Sequence, residues 1–234
     1  MKDNSLKAIV WDLDGTLIHF KINFVRARRE AIKILRNKGI SKKHLKISKS
    51  ILENVRLSIP LFEEMGYNKP EIDGIIEQVD KAVREIEYEA ALKASKIDGI
   101  EKVLEFAKNN NLKQAIYTYN TRKNAQVSLK KVNLISYFNV IVGRDNVDNP
   151  KPHKDHLLTI CKELKLSPTE IVVIGDTYRD IEGALVVGAR SIGIDTKIST
   201  FTTKDPFQDA NIIIEYKDIP DNLIEAIKKI KTSL

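Results

Sequence analysis

Short apolar runs alternate with amphipathic helical segments from about residue 97 to the end of the chain. Strands separated by helices of this length predict βαβ units and a parallel sheet. The predicted strands are 6–11, 114–117, 139–142, 171–174, 191–194 and 212–214, and the predicted helices are 99–109, 125–132, 153–164, 180–187 and 223–230. We therefore predict a doubly wound α/β core with a mainly parallel, Rossmann-like sheet.

A region of different character separates the first predicted strand from the others. Apolar residues recur there at helical spacing, and the segment carries no clear strand pattern. Its predicted helices cover about 23–39, 48–65 and 70–92, and the second is expected to place Leu52 and Leu57 inward. We therefore expect a core domain of residues 1–19 and 97–234, with an all-helical cap domain of residues 20–96 inserted into it.

Composition limits the class of protein. A hydrophobic content of 42% with 30% charged residues is typical of a soluble globular chain. No apolar run approaches the roughly 20 residues that cross a bilayer, and the N-terminus shows no signal-peptide pattern. Cys161 is the only cysteine, which excludes an intrachain disulfide. We expect a cytoplasmic protein that does not bind membranes.

The net charge of +7 is unevenly distributed. The start of the helical region is basic and its later part is acidic, and most of these charges are expected on solvated faces. A basic segment could hold nucleic acid, but here it lacks interleaved aromatic residues beyond Phe20 and Phe24. Nucleic acid is therefore an unexpected partner, although a binding protein without catalytic activity remains an alternative. No pattern indicates the oligomeric state.

Two carboxylates leave the first predicted strand in the sequence Asp-Leu-Asp-Gly-Thr. Asp12 and Asp14 come just before Gly15, which allows a sharp turn. Ligands of open α/β sheets gather at the carboxyl ends of strands. Two acids there could share a divalent cation, and one of them could attack phosphorus. Taken alone, the motif could also be an acidic turn at a strand end.

Two other segments that follow predicted strands carry polar groups suited to an anion. Thr118 ends one strand just before a helix, whose N-terminus favours negative charge; Asn120 or Thr121 could simply cap that helix. Lys151 lies between Pro150 and Pro152, and such a stiffened loop suits a preorganised cation. A solvated lysine is the alternative.

A second acidic pair follows the predicted strand 171–174. Asp176 leaves the strand end, and Asp180 follows four residues later, a spacing that points both side chains in the same direction. Nearby, His153, Asp155 and His156 could suggest a metal site, but we interpret them as a solvated helix start.

Together these motifs, in this order, resemble the haloacid dehalogenase superfamily over essentially the whole chain. The resemblance is to its magnesium-dependent phosphatase branch with a helical cap, which includes phosphoglycolate phosphatases. It implies that Asp12 attacks phosphorus and forms an aspartyl-phosphate, and that Asp14 protonates the leaving oxygen and later activates water. Thr118 would bind a phosphoryl oxygen, and Lys151 would offset the charge of nucleophile and phosphate.

The resemblance also implies a Mg²⁺ cofactor and a small phosphorylated metabolite as substrate. Asp12, the backbone carbonyl of Asp14 and Asp176 would hold the metal, with Asp180 closing its shell directly or through water. Asp14 argues against a dehalogenase, because dehalogenases of this family lack that acid. A phosphomutase with the same intermediate is the nearest alternative.

Departures from the family pattern bear on the substrate. Tyr119 stands where related phosphatases often carry Asn or Gly, so we expect it near the leaving group. His19 follows the first motif at the hinge and is either structural or part of the substrate site. Arg26 and Arg29 share a face at the start of the first cap helix, and they could bind an anionic group of the substrate.

Overall fold

The computed structural model describes residues 5–19, 22–197 and 207–232. The chain folds into two compact units. The α/β unit comprises Met1–Phe20 with Ala91–Leu234, and the helical unit comprises Lys21–Ala90. Compactness does not assign a role to either unit, so the division into catalytic core and cap stays a prediction. Phe20 lies outside the described residues.

The regular elements follow the predicted alternation. The strands are β1 (Ala8–Trp11), β2 (Ile18–His19), β3 (Ser95–Lys96), β4 (Lys113–Tyr117), β5 (Val140–Val142), β6 (Ile171–Gly175), β7 (Arg190–Asp195) and β8 (Ile212–Glu215). The α-helices are α1 (Phe24–Asn37), α2 (Ile51–Glu64), α3 (Lys69–Ala91), α4 (Ile100–Asn109), α5 (Arg122–Lys131), α6 (Lys154–Leu164), α7 (Tyr178–Val187) and α8 (Asp221–Thr232).

Six strands of the α/β unit form one sheet in the order β5-β4-β1-β6-β7-β8, and every neighbouring pair is parallel. Successive side chains of a strand point to opposite faces, so each strand contributes to two cores. In β1, Ile9 and Trp11 pack with α4, α5 and α8, whereas Ala8 and Val10 pack with α6 and α7. The predicted doubly wound α/β fold is confirmed.

The winding direction of the chain reverses between β1 and β6. From β1 the sheet extends through β4 to β5, and the chain then crosses to β6 and continues outward to β7 and β8. The helix that follows in the α/β unit after β1, α4, covers one face, and α7, which follows β6, covers the other. Adjacent strands whose helices lie on opposite faces leave an opening at their carboxyl ends, where ligands bind in such sheets.

The helical unit has its own apolar core, built from one stripe of each helix. Buried residues of α1 and α3 recur at helical spacing as the sequence predicts. The buried face of α2, however, contains Val55 and Phe62, while Leu52 and Leu57 are exposed. The inward placement predicted for those two leucines is wrong. Buried Asn54 takes part of the inner face instead, because its amide holds the preceding loop.

A short antiparallel ribbon was not predicted. β2 pairs with β3, joining Ile18 to Lys96 and His19 to Ser95 on either side of the helical unit in sequence. Two-residue strands carry no periodicity that a sequence pattern can show. In the described part of the chain, no helix has the length and apolar character needed to cross a membrane.

Candidate active site

The carboxyl ends of β1 and β6 bring three carboxylates together. The backbone N–H of Asp12 donates to the Ile174 carbonyl (2.8 Å), which fixes the end of β1 against β6. One oxygen from each of Asp12, Asp176 and Asp180 lies within 4.8 Å of the other two. Like charges this close repel, so the cluster requires a cation.

The Lys151 ammonium lies among these acids and is almost fully buried. It donates to a carboxylate oxygen of Asp12, to Oδ1 of Asp180 (2.7 Å) and to the backbone carbonyl of Tyr117 (3.0 Å). All three ammonium hydrogens are therefore used. Burial alone would lower the pKa of Lys151, but attraction to Asp12 and Asp180 outweighs it and raises that pKa. Lys151 is a permanent positive charge at this site.

Burial raises the pKa values of the neighbouring acids, because it disfavours their charged form. It raises the pKa of Asp12 to about 6, although the charge and hydrogen bond of Lys151 act against the rise. Burial, with repulsion from Asp12 and Asp180, raises the pKa of Asp176 to about 8. The protein alone does not compensate the negative charge of Asp176.

The surroundings of Asp176 also suit a metal ligand. Its Oδ1 atom is buried, and no group in residues 5–19, 22–197 or 207–232 forms a hydrogen bond with it. Gly15, with φ near +90°, lies directly against this carboxylate, and a Cβ there would overlap it. Carboxylate oxygens are the ligands that Mg²⁺ prefers. Asp12, Asp176 and Asp180 are thus the residues that could hold such an ion.

Asp180 has further structural contacts. Its Oδ2 accepts from the Thr177 hydroxyl (2.6 Å) and the Thr177 N–H (3.0 Å), which caps the start of α7. Because Oδ1 binds Lys151, both carboxylate oxygens are engaged. Asp180 is therefore a candidate metal ligand and also positions Lys151.

Asp14 lies beside a residue that the sequence analysis treated only as a helix cap. The Asn120 side-chain N–H donates to Asp14 Oδ2 (2.6 Å), and Asn120 is buried. The cap of α5 is Thr121, whose hydroxyl accepts from the Asn124 N–H (3.3 Å). Thr118 is fully buried, and its hydroxyl accepts from the Asn120 N–H (3.1 Å). Thr118 and Asn120 thus connect the end of β4 to the Asp14 carboxylate.

His156 was interpreted as part of a solvated helix start, and that interpretation is wrong. The imidazole is fully buried: Nδ1 accepts from the Lys151 backbone N–H (3.2 Å), and Nε2 lies 3.0 Å from the Val142 carbonyl. This arrangement assigns the proton to Nε2. Burial lowers the pKa of His156 to about 4, so the ring is neutral. It ties the Lys151 loop to β5.

The remaining predicted site residues lie in varied surroundings. The Tyr119 ring is half exposed and lies 5.6 Å from the Arg179 guanidinium. His19 Nε2 lies 3.2 Å from the Tyr216 hydroxyl, within the α/β unit. The structure does not test a role in substrate binding for Tyr119 or His19, and both roles stay predictions.

The two arginines of the helical unit differ from each other. Arg26 forms a two-bond pair with Glu89 (2.5 and 3.0 Å), whereas Arg29 lines a cavity beside α1. Their predicted contact with the substrate also stays a prediction.

Sequence reasoning missed Asn120 and His156 as members of the site. A polar residue two positions after a strand end is a signal for Asn120, but helix capping explains it equally well. For His156 the available signal is its inward position on α6, one turn ahead of Ile160 and beside Leu157, in a helix whose buried face is otherwise apolar.

Comparison with known proteins agrees with this geometry. The chain is similar to the phosphorylated carbohydrates phosphatase of Thermotoga maritima, with 25% identity over 80% of this chain and 84% of that protein. It is also similar to the phosphoglycolate phosphatase of Escherichia coli K12, with 35% identity, but the match covers only 28% of this chain and 26% of that protein.

The solved structures show the fold. The β-phosphoglucomutase of Clostridium difficile superposes with a TM-score of 0.64 over 97% of this chain and 98% of that chain, at 18% identity. The family model described as haloacid dehalogenase-like hydrolase matches residues 9–194, which include every carboxylate of the site and Lys151. This chain belongs to the haloacid dehalogenase-like hydrolases.

Proposed function

We propose that the protein is a Mg²⁺-dependent phosphatase that hydrolyses a small phosphorylated metabolite through an aspartyl-phosphate at Asp12. The observation that carries the proposal is the buried ammonium of Lys151 between Asp12 and Asp180, beside a third carboxylate, Asp176. Such a cluster offers a nucleophile, a fixed positive charge and cation ligands at one point. Family membership and the phosphatases among its relatives support the same reaction.

The reaction would proceed in two displacements. A carboxylate oxygen of Asp12 attacks phosphorus and forms an O–P bond as the bond to the leaving oxygen breaks, and Asp14 gives its proton to that oxygen. Asp14 then takes a proton from water, which attacks phosphorus and releases Asp12 and inorganic phosphate. Asn120 orients the Asp14 carboxylate through its 2.6 Å hydrogen bond.

The other residues would hold the phosphoryl group. Lys151 offsets the charge on Asp12 and on the phosphoryl oxygens, and the Thr118 hydroxyl donates to one of those oxygens. Asp12, the Asp14 carbonyl, Asp176 and Asp180 would hold Mg²⁺. When bound, the ion supplies the positive charge that lets a carboxylate approach a phosphate.

For the substrate we propose a phosphorylated carbohydrate or a small phosphorylated acid. Support comes from the two similar proteins, a phosphorylated carbohydrates phosphatase and a phosphoglycolate phosphatase. The first of them matches over most of both chains. For its location we propose the reducing cytoplasm, because the single cysteine, Cys161, is free and buried.

The test is phosphate release from p-nitrophenyl phosphate and from a panel of phosphorylated sugars and acids, with Mg²⁺ and with EDTA. We expect turnover that requires the metal, and faster turnover of at least one panel member. Isomerisation of a sugar phosphate faster than phosphate release would replace this proposal with a phosphomutase. No turnover of any member, together with metal-independent anion binding, would replace it with a non-catalytic binding protein.

A further inference from the structure

A cavity lies within the helical unit, beside α1. Its volume is about 670 Å³, within the range of small-molecule sites. One wall is α1, and the facing wall is the segment 42–47 that leads toward α2. The lining side chains are Arg29, Ile32, Lys33, Arg36, Asn37, Lys42, Leu45 and Ile47.

Four positively charged side chains line this cavity, and few acidic side chains lie close enough to offset their charge. Arg29, Lys33 and Arg36 recur at helical spacing and share a face of α1, and Lys42 faces them from the opposite wall. Lys33 lies 3.6 Å from Glu30. Within the described ranges, no acidic side chain lies within 4.0 Å of the three other cations. All four cations are exposed to solvent. Like charges at this helical spacing destabilise a helix only slightly, and a bound anion would relieve that repulsion.

Arg26 provides the contrast on the same helix. Its guanidinium binds the Glu89 carboxylate with both nitrogens. Arg26 thus has an acidic partner, whereas Arg29 and Arg36 have none among the residues that the structure describes.

The wall opposite α1 is held in place before any ligand binds. Buried Asn54 on α2 accepts from the Lys46 N–H (2.9 Å) and donates to the Lys46 carbonyl (3.0 Å) and the Ser50 carbonyl (2.9 Å). Arg28 adds a hydrogen bond to the Ile47 carbonyl (3.4 Å). The segment that carries Leu45 and Ile47 is therefore preorganised, which lowers the entropic cost of binding.

We propose that this cavity binds a small organic polyphosphate. Two guanidinium groups match phosphate oxygens in pairs, and the lysines add charge without demanding a geometry. The aliphatic side chains of Ile32, Leu45 and Ile47 offer contact area for the organic part. The lining contains no aromatic side chain on which unpaired bases could stack, which favours a small ligand over a nucleic acid strand.

The test is calorimetric titration of the whole protein with ATP in EDTA, which prevents metal-dependent turnover, at low and moderate salt. We expect saturable binding of one ATP per chain, with inorganic tripolyphosphate weaker and adenosine undetectable. Arg29→Ala and Arg36→Ala should each weaken ATP binding about tenfold or more. Lys42→Ala should weaken it at least threefold.

Lys43→Ala is the matched control, because Lys43 lies in the same turn as Lys42 and is exposed as Lys42 is, but it does not line the cavity. It should change the affinity less than twofold. Equal losses in Lys42→Ala and Lys43→Ala would overturn the proposal in favour of unspecific surface charge.

Three other outcomes would also overturn the proposal. Absence of saturable binding at millimolar ATP would leave only a solvated basic face. Loss of binding in Lys151→Ala but not in Arg36→Ala would place the ligand in the α/β unit. RNA affinity that grows with oligonucleotide length and exceeds that for ATP would indicate a nucleic-acid surface.

Discussion

At the scale of single residues, the site depends on the balance between burial and charge. Lys151, Asp12 and Asp180 are all buried, and each desolvated charge would be costly alone. Contact among them offsets part of that cost, but one positive charge faces three acids. Burial, together with repulsion from Asp12 and Asp180, raises the pKa of Asp176 to about 8, so Asp176 favours its protonated form in the metal-free protein. A divalent cation would reverse that preference.

We expect Asp12→Asn to abolish turnover while the protein remains folded. The amide has the same size as the carboxylate but is not a nucleophile and is a weaker cation ligand. Phosphate release should fall below about one per cent of the wild-type rate, a loss of at least about 2.7 kcal/mol in transition-state stabilisation. The control is Asp73→Asn on the exposed face of α3, which should leave the rate unchanged. A rate above that limit in a folded Asp12→Asn variant would contradict an aspartyl-phosphate.

Asp176 and Asp180 should differ in what their loss affects. Asp176→Ala is expected to raise the Mg²⁺ concentration for half-maximal activity at least about tenfold, with little loss of stability, because it removes an uncompensated buried acid.

Asp180→Ala should instead destabilise the fold, because it removes the cap of α7 and one partner of buried Lys151. A cost of about 3 kcal/mol would lower the melting temperature by about 6 to 12 °C. Thermal melting with Mg²⁺ titration of activity separates the two effects. Equal, small effects of both variants on the Mg²⁺ requirement would mean that the metal binds elsewhere.

At the scale of elements, Lys151 is positioned by a contact between a loop and a helix. Pro150 and Pro152 restrict the backbone around Lys151. His156, in the first turn of α6, accepts a hydrogen bond from the Lys151 backbone N–H. The same imidazole reaches Val142 at the end of β5. One neutral side chain therefore sets the distance between the loop and the sheet edge.

We expect His156→Leu to lower kcat about tenfold with a smaller change in KM, because Lys151 shifts relative to Asp12 while the substrate-contacting groups remain. His156→Asn keeps an acceptor near the position of Nδ1, and it should recover part of the loss. His153→Leu serves as the control, since His153 is exposed at the cap of α6. If the Asn and Leu variants lose the same activity, and that loss follows their loss of stability, His156 acts only in packing.

At the scale of the whole molecule, the raised pKa of Asp176 links folding to pH and metal. The folded-state pKa is about 8 and the value for an unperturbed Asp is 3.8, so between these pH values the folded chain holds a proton that the unfolded chain has lost. The free energy of unfolding therefore falls as pH rises toward 8. His156, with its pKa lowered to about 4, acts in the opposite direction, but only below about pH 6.5.

We expect the metal-free protein to lose about 1 kcal/mol of unfolding free energy per pH unit between pH 6.5 and 7.5. Mg²⁺ binds the deprotonated acids, so its stabilising effect should increase over the same range. Urea unfolding in EDTA and in Mg²⁺ at several pH values measures both trends. Asp176→Asn should remove the slope in EDTA, and an unchanged slope in that variant would assign the linkage to another group.

Local sequence patterns predicted the main helices and the six strands of the parallel sheet, together with the segments that carry the candidate site residues. Apolar runs alternating with helices imply a parallel sheet, and parallel strands bring their carboxyl ends to one edge. Asp12 and Asp176 directly follow such ends, Asp180 lies one helical turn after Asp176, and Lys151 lies in a loop between two prolines. Each is a local signal, and the structure brings all four into one cluster. These residues could be found without coordinates because backbone periodicity and strand-end position are properties of short segments.

The residues that surround that cluster depend on long-range packing. Asn120 meets Asp14 across 106 positions of sequence, and this contact depends on how β4 lies beside β1. The burial of His156 depends on α6 packing against β5, and the exposure of Leu52 and Leu57 depends on which face of α2 meets its neighbours. Periodicity gives the angle between side chains on one element but not the direction that the element faces. That direction is set by packing between segments distant in sequence.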